Sequence, residues 1–494
     1  MVISRRAMLA GLLVGAASPV LGEVMESSPR PMARGSKAAA AGPTVARGPV
    51  DAEALIATAK LGGSVTFAVL DAKTGAILSS RDPQHAMPPA SVAKAVTSLY
   101  ALEKLGPSYR FATRVLATGP IAGGVVQGDL VLAGGGDPTL QTDQLGDLVA
   151  RLAASGLKGA SGRFLFGDGA LPVLRSIAED QPDHVGYNAA ISGLCLNFNR
   201  VHFEWTRDGG DWRVAIDARG ERFLPEVGMV RVAIAQREAP LFTYAPGRVE
   251  EWTVASGALG KGGSRWLPVR NPGAYVAEVF RTLARAQGIR LEPGERVGAL
   301  PGGTELGRVE SEPLTEVLRD MLKFSTNLTA ECVGLTASGL TSLEASAGAM
   351  SDWVAATFGE RFDLHDHSGL GGRSRVTALG MARVLQRAEA DRRGLREILR
   401  NVGMKDDAGK EIKGHPVTVL AKSGTLNFVS GLAGHVMVPV PGRELAFAIF
   451  SGDPERRDAV PVGLREDPEG SGAWTKRARR LQGQLISRWA EAYG

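Results

Sequence analysis

Ser91 and Lys94 stand three residues apart in the run Pro88-Pro89-Ala90-Ser91-Val92-Ala93-Lys94. A serine hydroxyl attacks poorly until a base takes its proton, and a lysine amine can be that base only where burial holds it neutral. Residues i and i+3 share one face of a helix, so this spacing brings hydroxyl and amine together. The pattern is short, and a plain helix cap is the competing reading of Ser91. A second copy, Ser155-Gly156-Leu157-Lys158, lies where a helix end and a loop are expected. Two later clusters carry similar chemistry. Ser325-Thr326-Asn327 presents a hydroxyl and an amide between two predicted helices, where an N-cap is the alternative. Lys422-Ser423-Gly424-Thr425 follows a β-branched run and is predicted on or beside a strand, where Gly424 would let a substrate backbone come close. The alternative there is a strand end and a turn. Lys73-Thr74-Gly75 repeats part of that pattern in a hairpin turn ahead of Ser91 and is set aside.

The elements that must position these residues follow from periodicity. Val92, Ala95, Val96, Leu99, Leu102 and Leu105 recur at helical spacing, and Gly106-Pro107 ends that helix. Before it come a short helix over 51–60 and a hairpin with strands 64–70 and 76–80. From about Leu116 short strands alternate with Gly-rich turns: Gly128–Leu132, Gly162–Phe166, Val201–Trp205 and Val230–Ile234, with one helix over 273–288. The helical pattern returns with 313–323, a second helix from Leu328, and another from Thr377 after the polar loop Asp366-His367-Ser368-Gly369-Leu370. Strands 432–440 and 445–450 and a closing amphipathic helix carrying Leu481, Leu485 and Trp489 complete the chain. A catalytic unit from 51–115 and 305–494 is thus interrupted by mainly β subdomains over 116–304.

The N-terminus reads as an address. Arg5-Arg6, an apolar run from Ala7 to Ala17 and small residues to Gly22 make a secretory signal over 1–22, and the paired arginines suggest the twin-arginine route. Residues 23–50 are a linker rich in Ala, Gly, Pro, Ser and Arg. Residues 1–50 hold six Lys+Arg against two Asp+Glu, so most of the chain's net charge of +5 lies there. The rest is within one charge of neutral, which argues against nucleic acid as a partner. The two cysteines, Cys195 and Cys332, are expected to be buried thiols. The seven histidines show no zinc-site spacing, and no metal or other cofactor is expected.

In order and context, Ser91-x-x-Lys94, Ser325-x-Asn327 and Lys422-Ser-Gly424 resemble the three motifs of penicillin-binding proteins and serine β-lactamases. The 234 residues between Ser91 and Ser325 narrow this to the D-alanyl-D-alanine carboxypeptidase/endopeptidase family of class C low-molecular-weight penicillin-binding proteins, peptidase family S13. Asp366-x-Ser368-Gly369-Leu370, Gly136-Asp137-Pro138-Thr139-Leu140 and Gly431-Leu432-Ala433-Gly434 are similar to that family too, while Thr326 stands where it often has Asp. The resemblance implies an α+β fold: a β-lactamase/transpeptidase-like domain, an antiparallel sheet flanked by helices, carrying the insertion. It implies that Ser91 forms an acyl-enzyme on the carbonyl between two D-alanines, with Lys94 as base. Ser325 and Lys422 would relay a proton, Asn327 would hold the substrate amide, and Ser423, Gly424 and Thr425 would bind substrate, with the N–H groups of Ser91 and Thr425 as oxyanion hole. Peptidoglycan peptides would be the partners, β-lactams the inhibitors and the periplasm the location. Oligomeric state and peripheral membrane association stay open. A β-lactamase or esterase on the same core is the competing enzyme reading, and a wall-binding scaffold with a decayed site is the non-enzymatic one.

Overall fold

The computed structural model describes residues 52–405, 410–440 and 442–493; the predicted signal and linker lie outside them. The central sheet has six strands, all antiparallel, in the spatial order Arg400–Asn401, Thr418–Leu426, Val429–Met437, Glu444–Gly452, Ser64–Asp71, Ile77–Arg81. The strands Val429–Met437 and Glu444–Gly452 are buried along almost their whole length, because helices cover both faces of the sheet. One face carries the helix Ser471–Tyr493, whose Trp474, Ala478, Leu481, Leu485 and Trp489 recur at helical spacing and are buried.

The other face carries the helices that matter for chemistry. Ala93–Leu105, Leu314–Phe324, Asn327–Ser338, Leu343–Phe358 and Ala378–Ala390 share one core with the sheet. Leu314–Phe324 buries Leu314, Val317, Leu318, Met321 and Leu322, an apolar stripe at i, i+3, i+4, i+7, i+8. Asn327–Ser338 is different: Leu328 through Leu335 are all buried, so it runs inside the domain. One charged residue, Glu331, lies in that buried run.

Residues 112–310 form a second core around a mixed five-stranded sheet in the order Glu295–Arg296, Phe164–Gly167, Leu130–Ala133, Ala112–Ala117, Thr304–Glu310. The strands at either end of the interruption, Ala112–Ala117 and Thr304–Glu310, pair with each other. Three three-stranded sheets and the helices Thr142–Ala154 and Pro272–Ala286 complete this body. The irregular segment 168–199 leaves this body and lays Leu171, Ile177, Ile191 and Cys195 against Leu328, Cys332, Leu335 and Leu370. Cys195 and Cys332 are both buried and free. Native protein should therefore resist thiol alkylation, and two thiols should titrate after denaturation without reductant; a denatured protein with none would show that they pair.

Candidate active site

Two prolines deliver the chain to a single 3₁₀ turn, Ala90–Val92, ahead of the helix Ala93–Leu105. Ser91 therefore sits in the turn and Lys94 in the helix's first turn. Neither helix start shows a side-chain cap, so Ser91 is not a capping serine. Ala90 has φ of 46°, an uncommon value for a residue with a side chain. It is held there by close packing: a Cβ on Gly369 would fall 1.9 Å from the Ala90 oxygen, and Gly369 itself has φ of +70°.

Lys94 is fully buried. Its Nζ lies 2.9 Å from Ser91 Oγ, 2.8 Å from Asn327 Oδ1 and 2.8 Å from the Ser368 carbonyl oxygen. Burial pushes its amine down to about 7, against the opposing pull of Glu331 and Asp366. An amine in that range is partly neutral at ordinary pH and can accept a proton.

Ser325 caps the end of Leu314–Phe324 in the left-handed region, with φ of 60°. The N-cap of the following helix is Thr326, without a side-chain cap bond, so Ser325 is not the N-cap that the alternative reading made it. Its Oγ instead accepts from Lys422 Nζ at 2.9 Å, and Lys422 also donates to the Ser423 carbonyl at 2.7 Å. Burial holds the Lys422 amine well below its ordinary value, and the charges of Lys94 and Arg400 add to that. Asn327, in the first turn of its helix, turns its Oδ1 to Lys94 and donates from Nδ2 to the Tyr187 carbonyl at 3.0 Å.

On the strand Thr418–Leu426 side chains alternate between faces. Lys422 and Gly424 share a face with the serine turn. The close approach that Gly424 allows is to that turn rather than to a substrate: a Cβ there would lie 2.7 Å from the Pro89 oxygen and 2.9 Å from the Ser91 nitrogen. Gly424→Ala should therefore shift the backbone under Ser91 and slow acylation by about 10²-fold, a loss typical of small misplacements, while an unchanged rate would show that the turn yields. Ser423 and Thr425 alternate away, and the Thr425 hydroxyl accepts from Arg479 Nη2 at 3.1 Å. Neither side chain is hydrogen-bonded to Ser91, Lys94, Ser325 or Asn327. Arg400–Asn401 pairs only with Leu420 and Ala421, so the strand edge beyond them carries no partner strand among the described residues.

The structure thus brings Ser91, Lys94, Ser325, Asn327, Lys422 and Gly424 to one place from two sides of a 234-residue gap. The other two look-alikes fall apart. Ser155 Oγ donates to the Leu152 carbonyl as a helix ends, and Lys73-Thr74-Gly75 is a turn built on Asp71. Sequence reading missed Tyr187 and Arg479, which reach the site through a backbone carbonyl and from a distant helix, and it singled out Ser368 by its motif but not the contact its carbonyl makes. It also missed Glu331, which had a signal: a lone carboxylate in an otherwise apolar helical run.

The D-Ala-D-Ala carboxypeptidase 3 (S13) family model matches residues 50–463. A D-alanyl-D-alanine carboxypeptidase of Actinomadura sp. (strain R39) is 28% identical over 500 residues, covering 90% of this chain and 89% of the relative. A carboxypeptidase of Mycobacterium tuberculosis is 27% identical over 432 residues, covering 81% and 78%. Among solved structures, penicillin-binding protein 4 of Haemophilus influenzae superposes with a TM-score of 0.71 at 21% identity, covering 89% of this chain and 100% of that one. With a model match over most of its length, the chain belongs to the D-Ala-D-Ala carboxypeptidase 3 (S13) family.

Proposed function

We propose that this protein is a serine D-alanyl-D-alanine carboxypeptidase/endopeptidase that acts on peptidoglycan stem peptides and cross-links and is acylated by β-lactams. The observation that carries the reading is the buried Lys94 amine 2.9 Å from Ser91 Oγ, in a member of this family. Ser91 Oγ attacks the carbonyl between two D-alanines as its proton passes to Lys94 Nζ. The oxyanion is held by the N–H groups of Ser91 and Thr425. Antiparallel pairing alternates inward and outward groups, so the open edge past Ala421 offers backbone donors and acceptors to an extended peptide. Ser325, bonded to Lys422, passes its proton to the departing amine as the C–N bond breaks, and it takes one in turn from Lys94, which is left neutral again. Asn327 accepts from or donates to the substrate amide. Ser423 and Thr425, backed by Arg479, bind the terminal carboxylate; the positive charges of Arg479 and Arg400 favour an anion there. Water then attacks the acyl carbon, with Lys94 taking its proton and returning it to Ser91 Oγ as the C–Oγ bond breaks.

The basic, apolar start over residues 1–22 supports export to the periplasm, where cross-linked peptidoglycan lies. The test is incubation with benzylpenicillin and with a stem pentapeptide ending in D-Ala-D-Ala. One equivalent of penicilloyl mass on the Ser91 peptide, together with release of D-alanine, is expected; rapid turnover of penicillin without D-alanine release would make it a β-lactamase instead.

A further inference from the structure

Lys94 has three polar neighbours, and only one of them is to receive chemistry. A neutral amine has two N–H bonds and one lone pair. If the carbonyl oxygens of Asn327 and Ser368 take the two N–H bonds, at 2.8 Å each, the lone pair is left facing Ser91 Oγ. The direction of the base is therefore set by two acceptors, one a side chain and one a main-chain carbonyl in the loop 366–371. What fixes that loop then fixes the base.

Glu331 does so. It lies one turn after Asn327 on the same face of the helix Asn327–Ser338. Its side chain is completely buried, and each carboxylate oxygen accepts one backbone N–H: Oε2 from His367 and Oε1 from Ser368, both at 2.9 Å. Glu331 thus anchors the two peptide units just before the one whose carbonyl meets Lys94. Asp366 holds the far side of the loop, accepting from the N–H groups of Gly369 and Gly371, each at 2.7 Å. A buried carboxylate is costly unless it is paired and hydrogen-bonded, and surrendering this one's partners would leave three polar groups unsatisfied. We propose that Glu331 is a positioning residue for the reaction: its carboxylate clamps the His367–Ser368 backbone so that the Ser368 carbonyl and Asn327 aim the Lys94 lone pair at Ser91. The proposal rests on the reading of Lys94 as the base.

The charged and titratable groups around the pair are few. Asp366 and His367 face it from the loop, and Lys422 faces Lys94 from the strand Thr418–Leu426, with Arg400 beyond. Burial keeps His367 neutral, down to about 3, with its Nε2 on Ser346 Oγ. Burial and the neighbouring Asp366 raise the Glu331 carboxyl to about 8, against the pull of its Ser368 and His367 bonds and of Lys94. In their ionised forms Glu331 and Asp366 favour the ammonium form of Lys94, and the positive charge of Lys94 disfavours it at Lys422.

The experiment compares wild type, Glu331→Gln and Glu331→Asp in penicillin acylation from pH 5 to 10, with folding checked by thermal melting. In Glu331→Gln the amide nitrogen meets an N–H donor, so one clamp bond is lost along with the charge. Its maximal rate should fall about 10²-fold, and the rising limb of its profile should move to lower pH by about one unit, because a carboxyl whose ionised form favours the ammonium is gone. Glu331→Asp keeps the charge but shortens the reach. Its rate should fall while its midpoint stays. A folded Glu331→Gln protein with the wild-type midpoint overturns the proposal, since loss of structure alone lowers the active fraction without moving a pH profile. Failure of both variants to fold would overturn it too, by making Glu331 a residue the fold itself requires. Absence of acylation in the wild type would instead refute the reading of the site on which the proposal stands.

Discussion

Ser91→Ala should abolish covalent labelling by fluorescent penicillin, and Ser155→Ala should leave it intact. The two serines share a sequence pattern, so the contrast isolates what the fold adds. Ser91 lies in a 3₁₀ turn without capping duty, with a buried amine 2.9 Å away. Ser155 ends a helix, and its hydroxyl is taken by the Leu152 carbonyl. Removing a nucleophile that forms the covalent intermediate costs on the order of 10⁶ in turnover, below detection in a gel-based label. The alanine leaves no cavity of consequence, and the turn is shaped by Pro88, Pro89 and Gly369 rather than by the hydroxyl, so the variant should melt near the wild-type temperature. Label retained on the Ser91→Ala protein would remove Ser91 from the mechanism. Label lost from Ser155→Ala would show that the second pattern has a role its geometry does not suggest.

The contrast also marks what was legible in the sequence. The helices and strands of the catalytic unit follow strong periodicities and appear within a few residues of their expected ends: 313–323 against Leu314–Phe324, 445–450 against Glu444–Gly452. The strand expected over 432–440 is shifted to Val429–Met437, because a hairpin turn at Asn427–Phe428 starts it early. The helix Leu343–Phe358 was missed although Ala347, Met350, Trp353, Val354 and Phe358 lie along one face; the Ala, Ser and Gly residues between them dilute that stripe. The segment 168–199 was illegible for a different reason. It has no regular period, and its place is decided by side chains such as Leu171, Ile177 and Cys195 fitting against the helix Asn327–Ser338. No local rule in the sequence contains that contact.

That segment also changes the part assigned to the interruption. Its catalytic side chains were expected to come from outside it, and Ser91, Lys94, Ser325, Asn327 and Lys422 do. Yet Tyr187 supplies the carbonyl that takes Asn327 Nδ2, and Gln181 Nε2 donates to the Leu370 carbonyl at 3.4 Å. With Nδ2 tied to the main chain, Asn327 cannot flip its amide, and its Oδ1 stays on Lys94. A backbone carbonyl carries no residue type, so nothing at position 187 in the sequence announces this. The segment 168–199 and the orientation of the base are therefore linked through these two hydrogen bonds.

Lys94→Arg should lose acylation by about 10⁴-fold, the upper range for removal of a general base, although it keeps the positive charge. Three features of the site decide against arginine. Its guanidinium stays protonated at every working pH, whereas the buried amine of Lys94, down to about 7, is close to half neutral there. Its planar fork carries five donors, while the site offers the oxygens of Ser91, Asn327 and Ser368 to a single nitrogen. Its extra volume must also enter a position with no exposure at all. The same burial fixes the sign of the wild-type pH dependence. Protonated Lys94 cannot accept from Ser91, so acylation should be slow at low pH and rise as pH passes through about 7. It should level off above that, where the amine is neutral, and the rise should be absent from whatever residual rate Lys94→Arg retains. Measuring second-order acylation rates of both proteins from pH 5 to 10 settles it: a near-normal rate in the arginine variant, or a wild-type rate that does not climb with pH in that range, would take the base role away from Lys94.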